Sequence, residues 1–121
     1  MGFRVIAIDT GSEKRELCTS LGAENWIDFK ESGNVITDVL AVTGGAGAHA
    51  AIVTAGGNEA YSAAAMFLRP SGYLMAVGIP PNAPLPLSML LVVRRALTIR
   101  GIFVGYVVLS HILITRSDCE V

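Results

Sequence analysis

Residues 42–50, VTGGAGAHA, set Gly45, Gly47 and Ala50 in the G-x-G-x-x-A spacing of a dinucleotide-phosphate loop. That spacing carries chemistry when it follows a strand and opens a helix, because the helix N-terminus then offers unpaired N–H groups and a positive dipole end to the pyrophosphate. Here the order is reversed. A helical pattern precedes Thr43, and the strand-like AAIVTA follows and stops at Gly56 and Gly57. The stretch reads as a glycine-rich helix-to-strand turn, and His49 within it has no second ligand nearby in sequence. The stronger signal is VIAIDTGSEKRE, a β-branched apolar run that ends at Asp9, with Gly11 leaving room beside it. In a dinucleotide-binding βαβ unit, an acid at the end of the second strand accepts both ribose hydroxyls of the adenosine. Acids also end strands where no ligand binds, so Asp9 alone leaves both readings open. If it is the ribose acid, the phosphate loop belongs about 20 residues before it. The first strand, the glycine loop and the first crossover helix would then precede Met1.

The elements that must position Asp9 follow from periodicity. FRVIAID (3–9) reads as a buried parallel strand. A helix is expected from Ser12, a good N-cap, to Gly22, a C-cap. WIDF (26–29) is a second strand, and Asn34 to Val42 has apolar residues at helical spacing. AAIVTA (50–55) is a third strand, and the Ala-rich Asn58 to Leu68 is a helix closed by Arg-Pro-Ser-Gly. YLMAVGI (73–79), a helix over Ser88 to Ala96 and LTIRGIFVG (97–105) complete the series. Strands alternating with helices predict an α/β fold with a parallel sheet and right-handed crossovers.

Composition narrows the function. A chain of 121 residues, 52% hydrophobic and with a net charge of −1, fits one domain with one core. Its nine Lys and Arg are interspersed with ten Asp and Glu, so nucleic acid is not an expected partner. Cys18 and Cys119 form no metal-ligand spacing and fit a reducing cytoplasm. The N-terminus lacks the apolar core and cleavage site of a signal peptide. The longest apolar stretch, 102–114, is interrupted by Gly105, Ser110 and His111 and is too short to span a bilayer, so no membrane partner is expected.

VIAID with Lys14, LGAENWIDF, TGGAGAHAAIVTA, LRPSGYLMAVGIP and LTIRGIFVG, in that order, closely resemble the coenzyme domain of zinc-dependent medium-chain alcohol dehydrogenases of the fungal type. The resemblance implies an incomplete Rossmann-like sheet over residues 1–105, lacking the first strand and glycine loop. It also implies NAD as cofactor, with Asp9 on the adenosine ribose and Lys14 assisting from the following helix. Phe29 and Thr54 would border the adenine side. Val77, Gly78 and Ile79, and the segment around Val104, would offer backbone groups to the nicotinamide carboxamide. Phe29, Val77, Ile79 and Val104 fit equally well as core residues, and Lys14 as a helix-surface pairing residue.

The chain also departs from the family. No residue matches the zinc ligands, which the family carries in its catalytic domain, and Cys18 falls where the family has none. No catalytic residue is therefore expected here. Without zinc, nothing can polarise an alcohol oxygen for hydride transfer, so the chain alone is expected to be inactive as a dehydrogenase. The resemblance ends at Gly105, and residues 106–121 form a tail without family character. In the doubly wound order 3-2-1-4-5-6 the missing strand is central. Its absence would expose two strand edges that either invite association or force the halves to close together. The last strand, by resemblance, offers a second route to self-association. Three readings follow: a fragment of an NAD-dependent enzyme that oxidises alcohols to aldehydes or ketones, a zinc-free quinone oxidoreductase-like reductase, and a non-catalytic chain that pairs with full-length subunits.

Overall fold

A computed structural model describes residues 2–80 and 87–103. Strand and helix alternate strictly: β1 (Ile6–Asp9), α1 (Ser12–Ser20), β2 (Asn25–Asp28), α2 (Val35–Val42), β3 (Ala48–Val53), α3 (Asn58–Phe67), β4 (Leu68–Ala76), α4 (Met89–Arg94) and β5 (Thr98–Gly101). Every ladder is parallel, which gives the expected α/β class.

Helix α1 is not capped by Ser12 as expected: Gly11 is its N-cap, Ser12 is its first helical residue, no side chain caps it, and its C-cap is Leu21 rather than Gly22; α2, by contrast, begins and ends for local reasons. Asn34, the N-cap of α2, accepts hydrogen bonds from the N–H groups of Ile36 and Thr37 through its side chain, satisfying two of the first-turn donors. At the other end, residues 43–47 form the turn read from the sequence. Gly44, Gly45 and Gly47 all have left-handed φ values of 65°, 83° and 84°, and Gly47 N–H donates to Thr43 Oγ1 at 3.1 Å. A Cβ on Gly47 would stand 2.6 Å from the Phe67 carbonyl oxygen, so both conformation and space require glycine there. The loop hands α2 to β3, and its glycines serve that turn.

The sheet is split. β1 pairs with β2, and β3–β4–β5 form a separate sheet; among the described residues no ladder joins β1 to β3. Of the two outcomes expected for the exposed edges, closure of the halves into one sheet does not occur. The helices hold the halves instead. α2 packs on β2 and on α3, and α3 packs on β3 and β4. One apolar cluster runs through both halves, from Ile27 on β2 through Val39 on α2 to Tyr61, Ala64 and Ala65 on α3 and Leu74 on β4. Ile52 on the β3 edge strand is left 69% exposed.

Strand β4 differs most from its expected limits. It starts at Leu68, directly after α3, and ends at Ala76, whereas 73–79 was expected. Leu68 pairs with Ala48, after which the register shifts so that Tyr73 pairs with Ala50, which absorbs Arg69 to Gly72 as an irregularity within the strand. Ser71 adopts a φ of 61° there, and its N–H donates to the Arg95 carbonyl at 2.8 Å. The strand ends early because β3 ends: the N–H groups of Val77 and Gly78 both turn onto the carbonyl of Val53. Of the expected last strand, β5 covers the middle, and residues 104 and 105 lie outside the described residues, as does the tail 106–121.

Candidate functional site

Asp9 ends β1 and lies opposite Asp28, the last residue of β2, in the parallel register. Both are half-buried at the carboxyl ends of their strands, where open α/β sheets bind ligands. Thr10 stands between them. Its N–H donates to Asp9 Oδ1 at 2.8 Å, and its hydroxyl donates to Asp28 Oδ2 at 3.1 Å. Gly11 N–H also donates to Asp28 Oδ2, at 3.3 Å. Lys14, in the first turn of α1, places its ammonium 2.8 Å from Asp9 Oδ1 and 3.0 Å from Oδ2.

These contacts set the charge state. The Lys14 hydrogen bond, followed by that from Thr10 N–H, holds the Asp9 carboxyl below the usual range. Burial pushes Asp28 up, but hydrogen bonds from Lys30 N–H, the Thr10 hydroxyl, and the N–H groups of Gly11 and Glu31 outweigh it, so Asp28 is also held low. Glu24, bound to the Arg4 guanidinium, is lowered as well. Each acid binds its proton less tightly folded than unfolded, so its stabilisation is present above the ordinary values of 3.8 and 4.5 and is lost as pH falls through the lowered folded values. The urea midpoint is therefore expected to be flat from neutrality to about pH 5 and to drop below the ordinary carboxylate range, modestly because these groups face solvent. A midpoint unchanged between pH 7 and pH 3 would contradict these contacts.

The remaining expected site residues take the following places. Gly11, the residue before α1, has a φ of 106°, and a Cβ built on it would meet nothing within 4 Å, so space is open at that position. Phe29 is exposed, and its N–H donates to the Asp9 carbonyl at 3.2 Å. Thr54 follows the end of β3 and is exposed. Val77, Gly78 and Ile79 follow the end of β4, and Ile79 is 81% exposed. The N–H groups of Val77 and Gly78 are engaged by Val53, while the Gly78 carbonyl accepts the Tyr61 hydroxyl. Val104 lies outside the described residues. The structure thus brings Asp9, Lys14 and Phe29 together at one corner, and Thr54 with Gly78 in another close contact.

Two residues of this site escaped the sequence reading. Asp28 carries the same signal as Asp9, an acid closing an apolar strand (AID and WID), and that parallel could have found it. Tyr61, 1% exposed and 17 positions from Gly78, left no local signal. His49 lies against Arg69, an ordinary surface contact. Among the described residues no group of three or more His, Cys, Asp or Glu is placed to hold a metal ion.

Comparison with known proteins adds the context. The sequence profile of a family described as zinc-binding dehydrogenase matches residues 1–115. The chain is 42% identical over 106 residues to alcohol dehydrogenase 1 of Emericella nidulans, covering 87% of this chain and 30% of that protein. It is 40% identical over 105 residues to the alcohol dehydrogenase of Schizosaccharomyces pombe, again covering 87% and 30%. The chain therefore spans less than a third of the length of these curated relatives. An alcohol dehydrogenase structure from Thermotoga maritima, 24% identical, superposes with a TM-score of 0.79 over 95% of this chain and 32% of its own length, and so shares the fold.

Proposed function

The chain belongs to the zinc-binding dehydrogenase family, and from that premise we propose that it is the coenzyme-binding part of an NAD-dependent alcohol dehydrogenase, acting in the cytoplasm. The observation that carries the reading is the Asp9 corner. A charged carboxylate at a strand end, steadied by Lys14 and Thr10 and with open space at Gly11, supplies the acceptor oxygens that two ribose hydroxyls need.

When bound, the nicotinamide supplies the hydride-accepting carbon. This chain's residues do the holding: Asp9 accepts from the ribose, Lys14 keeps Asp9 ionised, and exposed Phe29 offers an apolar face to the adenine. At the other contact Gly78 keeps the backbone of 77–79 against Thr54 and Ala55, where it would meet the carboxamide end. Zinc chemistry is assigned to no described residue, because none forms a ligand set. The substrate of the whole enzyme, on this reading, is a small alcohol or aldehyde, and β5 is the strand through which copies would associate. The quinone-reductase alternative is disfavoured by Asp9, since an acid at the ribose repels the 2′-phosphate of NADP.

The test is equilibrium binding of NADH and NADPH to the chain, followed by nicotinamide fluorescence. NADH is expected to bind more tightly. Tighter binding of NADPH would overturn the NAD assignment and favour the reductase reading.

A further inference from the structure

We propose that Asp28, rather than Asp9 alone, is a specificity-determining residue that rejects the 2′-phosphate of NADP. The inference rests on the cofactor reading above. On that reading Asp9 is the acid that faces the ribose, but its charge is partly offset, because Lys14 lies within 3.0 Å of both carboxylate oxygens. A lysine in that place would itself attract a phosphate. The further charge of the corner is that of Asp28. It accepts from neutral donors: the Thr10 hydroxyl and the backbone N–H groups of Gly11, Lys30 and Glu31.

Position supports the same role. Asp28 is the ladder partner of Asp9, and adjacent strands lie about 4.8 Å apart. Thr10 hydrogen-bonds to both carboxylates, which fixes Asp28 beside the ribose acid. Asp28 also takes the N–H of Gly11, the N-cap of the nine-residue helix α1. A helix N-terminus draws anions through its free N–H groups and dipole. With the Asp28 carboxylate already seated there, a 2′-phosphate loses that attraction and meets a like charge. A neutral ribose hydroxyl meets no such penalty.

The experiment measures NADH and NADPH dissociation constants for the wild-type chain, Asp28→Asn, Asp28→Ser and Thr10→Val at low and high salt. The amide in Asp28→Asn keeps an acceptor for Thr10 and Gly11 while removing the charge. The ratio of NADPH to NADH affinity is expected to rise about 3- to 10-fold in Asp28→Asn, for a phosphate carrying up to two charges near a surface carboxylate. The rise should shrink in high salt. Thr10→Val, which loosens the clamp and leaves the charge, should keep the ratio within about twofold of wild type, since any loss from loosening falls on both cofactors. An unchanged ratio in Asp28→Asn, an equal loss of both cofactors, or unfolding of both Asp28 variants would make Asp28 purely structural and overturn the proposal. If the wild-type chain binds neither dinucleotide, the cofactor reading itself falls and this inference with it.

Discussion

Replacing Gly78 with alanine is expected to destabilise the chain by about 3 kcal/mol or more, at or above the upper end of overpacking costs. A Cβ at Gly78 would stand 2.2 Å from the Ala55 carbonyl oxygen and 2.6 Å from both the Ala55 carbonyl carbon and the Thr54 oxygen. All three are backbone atoms, so no side chain can swing aside. The surrounding contacts resist a shift as well. Gly78 N–H is bound to Val53, its carbonyl takes the Tyr61 hydroxyl, and Tyr61 is fully buried in the core that joins both halves. Relief of the clash would therefore move β3, β4 or α3. Against a typical domain stability of about 5–15 kcal/mol, the loss is large. A urea titration checks it, with Gly57→Ala as control, because a Cβ on Gly57 meets nothing within 4 Å and its φ of −103° suits any residue. A Gly78→Ala midpoint indistinguishable from the control would contradict the close approach.

Asp9→Asn should weaken NADH binding about 10- to 100-fold while leaving the fold intact. Hydrogen bonds to a charged acceptor are worth about 1.5–3 kcal/mol, and each 1.4 kcal/mol is tenfold in affinity. The amide can still accept from Thr10 N–H, so the turn survives. It cannot accept from two hydroxyls and Lys14 together. Stability should change little, because the Lys14–Asp9 pair is exposed to solvent. The two effects separate cleanly when binding and a urea midpoint are measured on the same preparation. Unchanged NADH affinity would remove Asp9 from the site.

Much of the fold was legible because its signals are local. The helical spacing of residues 34–42 gives α2, and the glycines at 44, 45 and 47 fall where left-handed backbone is needed, whereas the expected Ser12 cap does not form and Gly11 takes its place. The place of Asp9 at the end of β1 was legible because a strand-end acid is a local pattern. The limits of β4 were not, because they are set by β3: the ladder stops where Val53 stops, and no residue of 77–79 announces that. The fate of the broken sheet was also hidden. The two ladders are joined through the packing of α2 on α3 rather than by a ladder between β1 and β3, and no single segment encodes that. Tyr61 and Gly78 meet for the same long-range reason. Asp28 is a different case, since its signal was present but the residue was read only as part of the strand 26–29, which in fact ends at Asp28.

The central claim, that the Asp9 corner holds the adenosine ribose of NAD, is tested most directly by amide-resolved nuclear magnetic resonance of the labelled chain during titration with NADH. The account predicts saturable shifts concentrated at Asp9, Thr10, Gly11, Lys14 and Phe29, reduced when NADPH replaces NADH at the same concentration. Saturable shifts that cluster elsewhere and spare Asp9 to Lys14, or no saturable shifts at all, would contradict it.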